Sequence, residues 1–169
     1  MSLVCEKLAE LYGLSEKEVS LIKHASPLHD VGKVAVSDLV LHKPGKLDAD
    51  EWGEMKRHVE YGVDILSHSK RKLIRVAKEI AGTHHEKWDG TGYPKGLRGE
   101  EIPVSGRITA LADVFDALGS KRCYKEAWET DAIKQELIAQ KGLHFEPQLV
   151  ELMVSNWEDF LLIRELHPD

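Results

Sequence analysis

The chain has 169 residues, 42% hydrophobic and 31% charged, with a formal net charge of −6. That length suits one domain with a sizeable core, and the mildly negative balance excludes duplex DNA or an anionic membrane as a general partner. No apolar run approaches the roughly 20 residues that a spanning helix needs, and no secretory signal opens the chain. Cys5 and Cys123 have no metal-type spacing, so two free thiols in a reducing cytoplasm are expected.

In chain order, Leu3, Leu8, Leu11 and Tyr12 share a helical face that Gly13 ends. Ser15 with Glu18 forms a capping box and opens a helix that runs to about residues 27–30. Gly32 and the Pro44-Gly45 pair break the chain around a short helical turn at 37–41. Asp48 is expected to cap a helix carrying Trp52, Met55 and Val59, with Gly62 allowing close packing and helix continuing to Leu66. Residues 70–82 form an amphipathic helix with Leu73, Ile74, Ala77 and Ile80 inward, and His84 and His85 sit just past its end.

Residues 86–103 read as one long irregular loop containing Gly90, Gly92, Pro94, Gly96, Gly99 and Pro103; loops of that length in compact domains are usually functional or disordered. Residues 103–118 then read as a buried helix with Ile108, Leu111, Ala112 and Phe115 facing in, interrupted by Asp113 and Asp116. Helices at about 130–140 and 147–164 follow, the last opened by Pro147 at its first position. No segment alternates as a strand does, and repeats, low-complexity tracts and linkers are absent, so 1–169 is expected to be a single all-α helical bundle.

His29, Asp30, His58, His84, His85 and Asp113 are the residue types that suit first-row divalent metals. Taken alone, His29-Asp30 could be a surface pair ending a helix, and His84-His85 a polar helix terminus. Asp113 is harder to explain that way, because an ionised carboxylate among apolar neighbours is costly without a partner or metal. Jointly these residues lie at helix ends and on an inward face, where they could converge, and bundle cores are a usual place for dinuclear sites. Two nearby ions can activate water and clamp both the attacking and leaving oxygens of a phosphoryl displacement. The other polar candidates have plainer readings. His24 falls on a different face, and His42, His68, His144 and His167 in surface turns or ends. Lys70, Arg71, Lys72 and Arg75 form a solvated helix face, and Trp88 packs under the glycine-rich loop.

Assembled, these motifs resemble a known family. His29-Asp30-Val31-Gly32-Lys33, then His58 with Gly62, then His84-His85-Glu86-Lys87-Trp88-Asp89-Gly90-Thr91-Gly92-Tyr93-Pro94, then Ala112-Asp113-Val114-Phe115-Asp116-Ala117-Leu118, look like an HD-GYP domain, the cyclic di-GMP phosphodiesterase branch of the HD superfamily. The resemblance runs from about Leu8 to Val150 and takes in residues 39–47 and 122–125. It implies an HD-type helical bundle with a long Gly-Tyr-Pro loop and two divalent ions, iron or manganese. Asp30 would bridge the two ions, with His58, His84 and His85 mainly on one and His29 and Asp113 mainly on the other. Lys33 would meet a phosphate oxygen or the nucleophile, and Tyr93, Asp116, Arg122 and Lys125 would hold the dinucleotide.

Two departures from the family pattern stand out. An upstream metal-binding His and a Glu four residues before it would precede Met1, so the chain reads as an N-terminally truncated, excised domain, with Met1-Ser2-Leu3 as a bland leader. A third metal is therefore not expected, and Leu8 and Leu11 are expected to lose part of their cover, a patch that favours a homodimer. The usual Arg-Pro-Tyr-Lys reads Arg122-Cys123-Tyr124-Lys125, which keeps the Arg, Tyr and Lys.

The function implied is metal-dependent hydrolysis of cyclic di-GMP to pGpG, and onward to GMP, in bacterial signalling. An upstream sensory or receiver domain would be attached, and a GGDEF-type domain protein is a candidate partner. Two alternatives remain open: a catalytically weak module binding cyclic di-GMP or a protein partner, and an HD hydrolase acting on another nucleotide.

Overall fold

The computed structural model describes residues 1–120 and 128–167, and the regular structure there is helical, as expected of an all-α bundle. The first helix, α1 (Ser2–Tyr12), buries Val4, Cys5, Leu8 and Ala9 and ends at Gly13, whose φ of 88° is the left-handed cap that glycine adopts without strain. Next comes α2 (Glu16–Ala25), opened by the expected Ser15–Glu18 capping box. It stops short of residues 27–30 and tightens into a 3-10 turn at Ser26–Leu28. Pro27 has no N–H to carry the i→i−4 ladder onward. A second 3-10 turn, Val31–Ala35, lies against the helix beginning at His58. Gly32 makes that approach possible, because a Cβ there would fall 1.9 Å from the His58 carbonyl oxygen and 2.4 Å from the Gly62 nitrogen.

After the short α3 (Asp38–Leu41), α4 (Ala49–Lys56) begins at Asp48, whose carboxylate accepts from the Asp50 and Glu51 N–H groups while Glu51 accepts from Asp48. The single helix expected through Leu66 is interrupted at Arg57, and α5 (His58–Leu66) starts afresh. There the His58 ring donates from Nδ1 to the Met55 carbonyl at 2.7 Å, and the Arg57 N–H reaches back only to Glu54. A side chain competing for a backbone acceptor is enough to break the ladder.

The remaining helices are α6 (Lys72–Ala81), α7 (Val104–Gly119), α8 (Thr130–Ala139), α9 (Pro147–Ser155) and α10 (Trp157–Leu166). The last two replace the one helix expected over 147–164; Asn156 separates them, its side-chain amide donating to the Leu152 carbonyl at 2.9 Å. The main core is built around α7, whose Ile108, Leu111, Ala112 and Phe115 are fully buried against Leu8, Ile133, Leu137, Leu149, Met153 and Phe160. A smaller cluster of Ala25, Leu66, Ala77, Ile80 and Ala81 ties α2, α5 and α6 together and so sets the mutual position of the helix ends that carry the histidines.

Two expectations are corrected by this packing. Leu8 is fully buried and Leu11 is packed partly against the same core, so the uncovered apolar patch expected there is absent. α1 packs against α2 and α7 and also against α9 and α10, and the sequence pattern could not place the last two beside it. Asp113 is not buried among its apolar neighbours: its side chain is 33% exposed, because a step of one residue from Ala112 turns it about 100° around the helix, out of the core. Cys5 is a buried free thiol, and Cys123 lies outside the described residues. No helix of the described residues is long and apolar enough to cross a membrane.

Candidate metal centre

Four segments deliver the polar cluster. His29 and Asp30 lie between the two 3-10 turns, His58 is the first residue of α5, His84 and His85 follow the end of α6, and Asp113 sits on α7. Asp30, His58, His84 and His85 each offer a ligand atom within 4.8 Å of the others. The two oxygens of Asp30 face different partners. Oδ1 is 3.4 Å from His58 Nε2 and 3.7 Å from His84 Nε2, whereas Oδ2 is 3.2 Å from His29 Nε2 and 2.5 Å from Lys33 Nζ. His29 Nε2 is in turn 3.7 Å from Asp113 Oδ1. Asp30 thus stands between a trio of histidines and the His29–Asp113 pair.

The histidine tautomers follow from the backbone. His29 donates from Nδ1 to the Ser26 carbonyl at 2.9 Å, His58 to Met55 at 2.7 Å, and His84 to Ile80 and Ala81 at 3.1 Å. A carbonyl only accepts, so Nδ1 carries a proton in each ring, and Nε2 is the nitrogen turned toward Asp30. Metal-binding imidazoles are held in this way, by a hydrogen bond from the other nitrogen. Asp30 Oδ1 and His84 Nε2 are buried with no hydrogen-bond partner among the described residues. His85 Nε2 lies 3.2 Å from His58 Nε2, which presents its lone pair. Unpaired buried acceptors are costly, and a divalent cation satisfies several of them at once. The residues present therefore fit a metal centre.

Except at His29, the electrostatics agree with the ligand state that metals need. Burial alone would raise the Asp30 pKa, but the His29 ring and its charge, the nearby His84 ring and the Lys33 ammonium together hold it far below the usual carboxylate range. Burial also pushes His58 down, and burial with the charges of His84 and His58 takes His85 to about 2. Burial resists a charge on His29 as well, yet the hydrogen bond and charge of Asp30, backed by Asp113, outweigh it and raise its pKa.

The family model that matches residues 1–149 is that of the HD domain. The chain belongs to the HD family. This HD domain is 65% identical, over its whole length, to a Vibrio cholerae protein named 3′3′-cGAMP-specific phosphodiesterase 2, of which it spans 32%. It is 53% identical over 154 residues, 91% of the chain and 41% of the relative, to the cyclic di-GMP phosphodiesterase response regulator RpfG of Xanthomonas campestris. A crystal structure of a cyclic GMP-AMP-specific phosphodiesterase from V. cholerae superposes with a TM-score of 0.69 at 20% identity, covering 96% of this chain and 44% of that one, and shows the shared fold. The chain spans about a third to two-fifths of these two curated relatives.

The other expected site residues of the HD domain fall as follows. Lys33 touches Asp30. Tyr93 stacks on His85 with ring centres 4.8 Å apart, and its N–H donates to the His85 carbonyl at 3.1 Å. Asp116 lies one turn beyond Asp113, with Oδ1 3.3 Å from the Met1 amino nitrogen. Arg122 and Lys125 lie outside the described residues. His24 stays outside the cluster, bonded to the Ser20 carbonyl, and Lys70, Arg71, Lys72 and Arg75 are exposed as expected.

His144 is not the surface residue that was expected: it is half-buried and stacked on Phe145, and burial lowers its pKa to about 4. The reason is that its turn is clamped onto the loop, the Trp88 and Asp89 N–H groups donating to the His144 and Leu143 carbonyls. Trp88 itself lies under the Arg107 guanidinium at 5.7 Å.

Glu86 had no assigned role in the sequence. It is 2% exposed, and its carboxylate accepts from the Lys95 N–H at 2.8 Å and the Leu97 N–H at 3.0 Å. It closes the glycine-rich loop directly behind His85. The available signal was an acidic residue fixed between the histidine pair and the glycine run.

Proposed function

We propose that this HD domain is the catalytic module of a metal-dependent phosphodiesterase that opens a cyclic purine dinucleotide. The observation that carries this reading is Asp30, a half-buried, ionised carboxylate whose two oxygens face two separate groups of metal-type side chains. His58, His84 and His85 would hold one ion, His29 and Asp113 the other, with Asp30 shared; iron or manganese suits this mixed imidazole and carboxylate set. Two such ions supply Lewis acidity at a phosphoryl oxygen and a clamp for attack and departure.

The chain's own groups do the rest. Lys33 keeps Asp30 ionised and presents a point charge at the mouth of the cluster, where it can meet a non-bridging phosphate oxygen. Tyr93 braces the His85 ring and keeps a hydroxyl for the substrate. Asp116, Arg122 and Lys125 would grip a nucleotide by its edge and phosphate. Addition of water at phosphorus, with the ribose 3′-oxygen leaving as a hydroxyl, converts cyclic di-GMP to pGpG; a second cycle gives GMP.

The 65% identity to a relative named for 3′3′-cGAMP favours that dinucleotide as a second candidate substrate. Both share the two 3′,5′-phosphodiester bonds on which the chemistry acts. The test is turnover of cyclic di-GMP and 3′3′-cGAMP by protein purified anaerobically and loaded with manganese or iron(II), with metal content measured alongside. Metal-dependent appearance of a linear dinucleotide is expected. Tight binding without turnover at full metal loading would instead make the domain a receptor.

A further inference from the structure

We infer that Trp52 and Lys56, on α4, form an outer subsite that stacks and anchors one purine nucleotide of the substrate. This rests on the cyclic-dinucleotide reading above and extends it to side chains outside the metal cluster. Trp52 is 48% exposed, which is unusual for the largest apolar side chain. It does not stand alone on the surface: its ring meets Tyr93 edge-on, with centres 6.5 Å apart and planes at 78°. Tyr93 is itself stacked on His85, which puts His85, Tyr93 and Trp52 in one continuous aromatic series leading out from the metal centre. Lys56, one turn along α4, places its ammonium 5.9 Å from the Tyr93 ring centre and forms no ion pair among the described residues.

The division of labour along that series follows from which surfaces are free. One face of Tyr93 is taken by His85, so its ring is a spacer more than a platform. The half-exposed indole of Trp52 offers an open π-surface at the end of the row. A cyclic dinucleotide brings two purines and two phosphates, and a single metal centre addresses only one phosphate. Asp116, Arg122 and Lys125 would hold one nucleotide by its edge and phosphate, which leaves the other base without a stacking surface. An exposed indole beside a cation with no carboxylate partner among the described residues matches that half: the purine stacks, and the ammonium meets a phosphate oxygen.

The platform is also held in place. Glu51 is bonded to Lys43 at 2.7 Å and completes the capping box at Asp48, so α4 is fixed at the turn from which Trp52 projects. A structural account of Trp52, as an apolar side chain at the start of a helix, needs hydrophobic bulk but not an aromatic face.

The two accounts separate in steady-state kinetics on the manganese-loaded protein with cyclic di-GMP and cyclic di-UMP. Trp52→Leu keeps the apolar bulk and removes the π-surface. It should raise KM for cyclic di-GMP about 5- to 150-fold, the range for loss of one stacked base, and do so more than it lowers kcat. The same change should shrink the preference for cyclic di-GMP over the smaller-ringed cyclic di-UMP, and Trp52→Phe should recover most of the lost affinity. Metal content and the circular dichroism spectrum, read on the same samples, report whether the centre and fold persist. An unchanged KM in Trp52→Leu, or an equal rise for both dinucleotides, overturns the subsite. Wild-type protein that neither binds nor opens any cyclic dinucleotide defeats the underlying functional reading, and this inference with it, before any variant is made.

Discussion

Asp30 joins the two halves of the cluster, so its loss should be felt on both sides at once. Removing an outer partner of a metal-binding histidine typically costs about 10- to 100-fold in affinity or activity. Asp30→Ala takes away a shared ligand and should lower turnover by more than about 100-fold with a parallel loss of bound metal, while the helical circular dichroism signal persists. Wild-type turnover in that variant at full metal loading would remove Asp30 from the centre. Tyr93→Ala should instead raise KM with metal content nearly unchanged, since the ring stacks on the His85 face and holds no position among the four residues whose ligand atoms cluster. At this scale the sequence was most readable where chemistry dictates residue type: His29, Asp30, His58, His84 and His85 come together, with Asp113 beside His29. It was least readable where a side chain serves the backbone. The partners of Glu86 are the N–H groups of Lys95 and Leu97, and every non-proline residue has an N–H, so no pattern of residue types marks them.

The elements were legible wherever a local signal ended them. Gly13, the Ser15–Glu18 box and Asp48 stand where their capping chemistry puts them. The breaks at Arg57 and Asn156 were hidden, because the apolar spacing runs through both and the cause is a single side-chain bond to a carbonyl, from His58 and Asn156 respectively. The break at Arg57 has a functional consequence, since the same bond that interrupts the helix fixes the His58 tautomer. Contact between elements yields two predictions. Gly32→Ala would drive a methyl to 1.9 Å from the His58 carbonyl oxygen, and both partners are backbone that cannot swing aside. Overpacking of that kind costs about 1–3 kcal/mol or more, read as a lower urea midpoint, and metal affinity should fall because His58 shifts with its carbonyl. Glu86→Gln keeps one amide oxygen as an acceptor but turns a buried side-chain NH2 group toward the other N–H, at about 1–3 kcal/mol. Hydrogen exchange at Lys95 and Leu97 should accelerate well before exchange in α7 does, and equal acceleration in both would mean that the loop and core open together.

For the whole molecule, the cluster ties stability to both metal and pH. An ion that binds only the folded chain at 100 times its Kd adds about 2.7 kcal/mol, and in a domain of this size that is a rise of roughly 5 to 11 °C in Tm. The imidazoles must be neutral to bind; His58 and His85 are held neutral by burial, so this gain should fall with pH first at the ion served by His29, whose pKa is raised. The metal-free protein carries a weaker dependence of the same sign. His144 titrates near 6.5 when unfolded but at about 4 when folded, so its contribution is complete above about 6.5 and is lost as pH drops toward 4. His58 and His85 are lowered too and act in the same direction. His29 is raised and opposes them, stabilising below about 6.5 and losing that contribution as pH rises through its folded value. Three lowered imidazoles against one raised should leave the metal-free fold less stable at pH 5.5 than at 7.5. Thermal unfolding in chelator and in excess manganese at those two pH values checks both parts. The manganese shift should be smaller at 5.5 than at 7.5, because His29 is the imidazole whose pKa is raised and so the one that protons reach first, and His144→Gln should reduce the metal-free fall in Tm while leaving the manganese shift at 7.5 intact. An equal manganese shift at both pH values would mean that protonation of His29 does not compete with the ion, and His29 would lose its place in the centre.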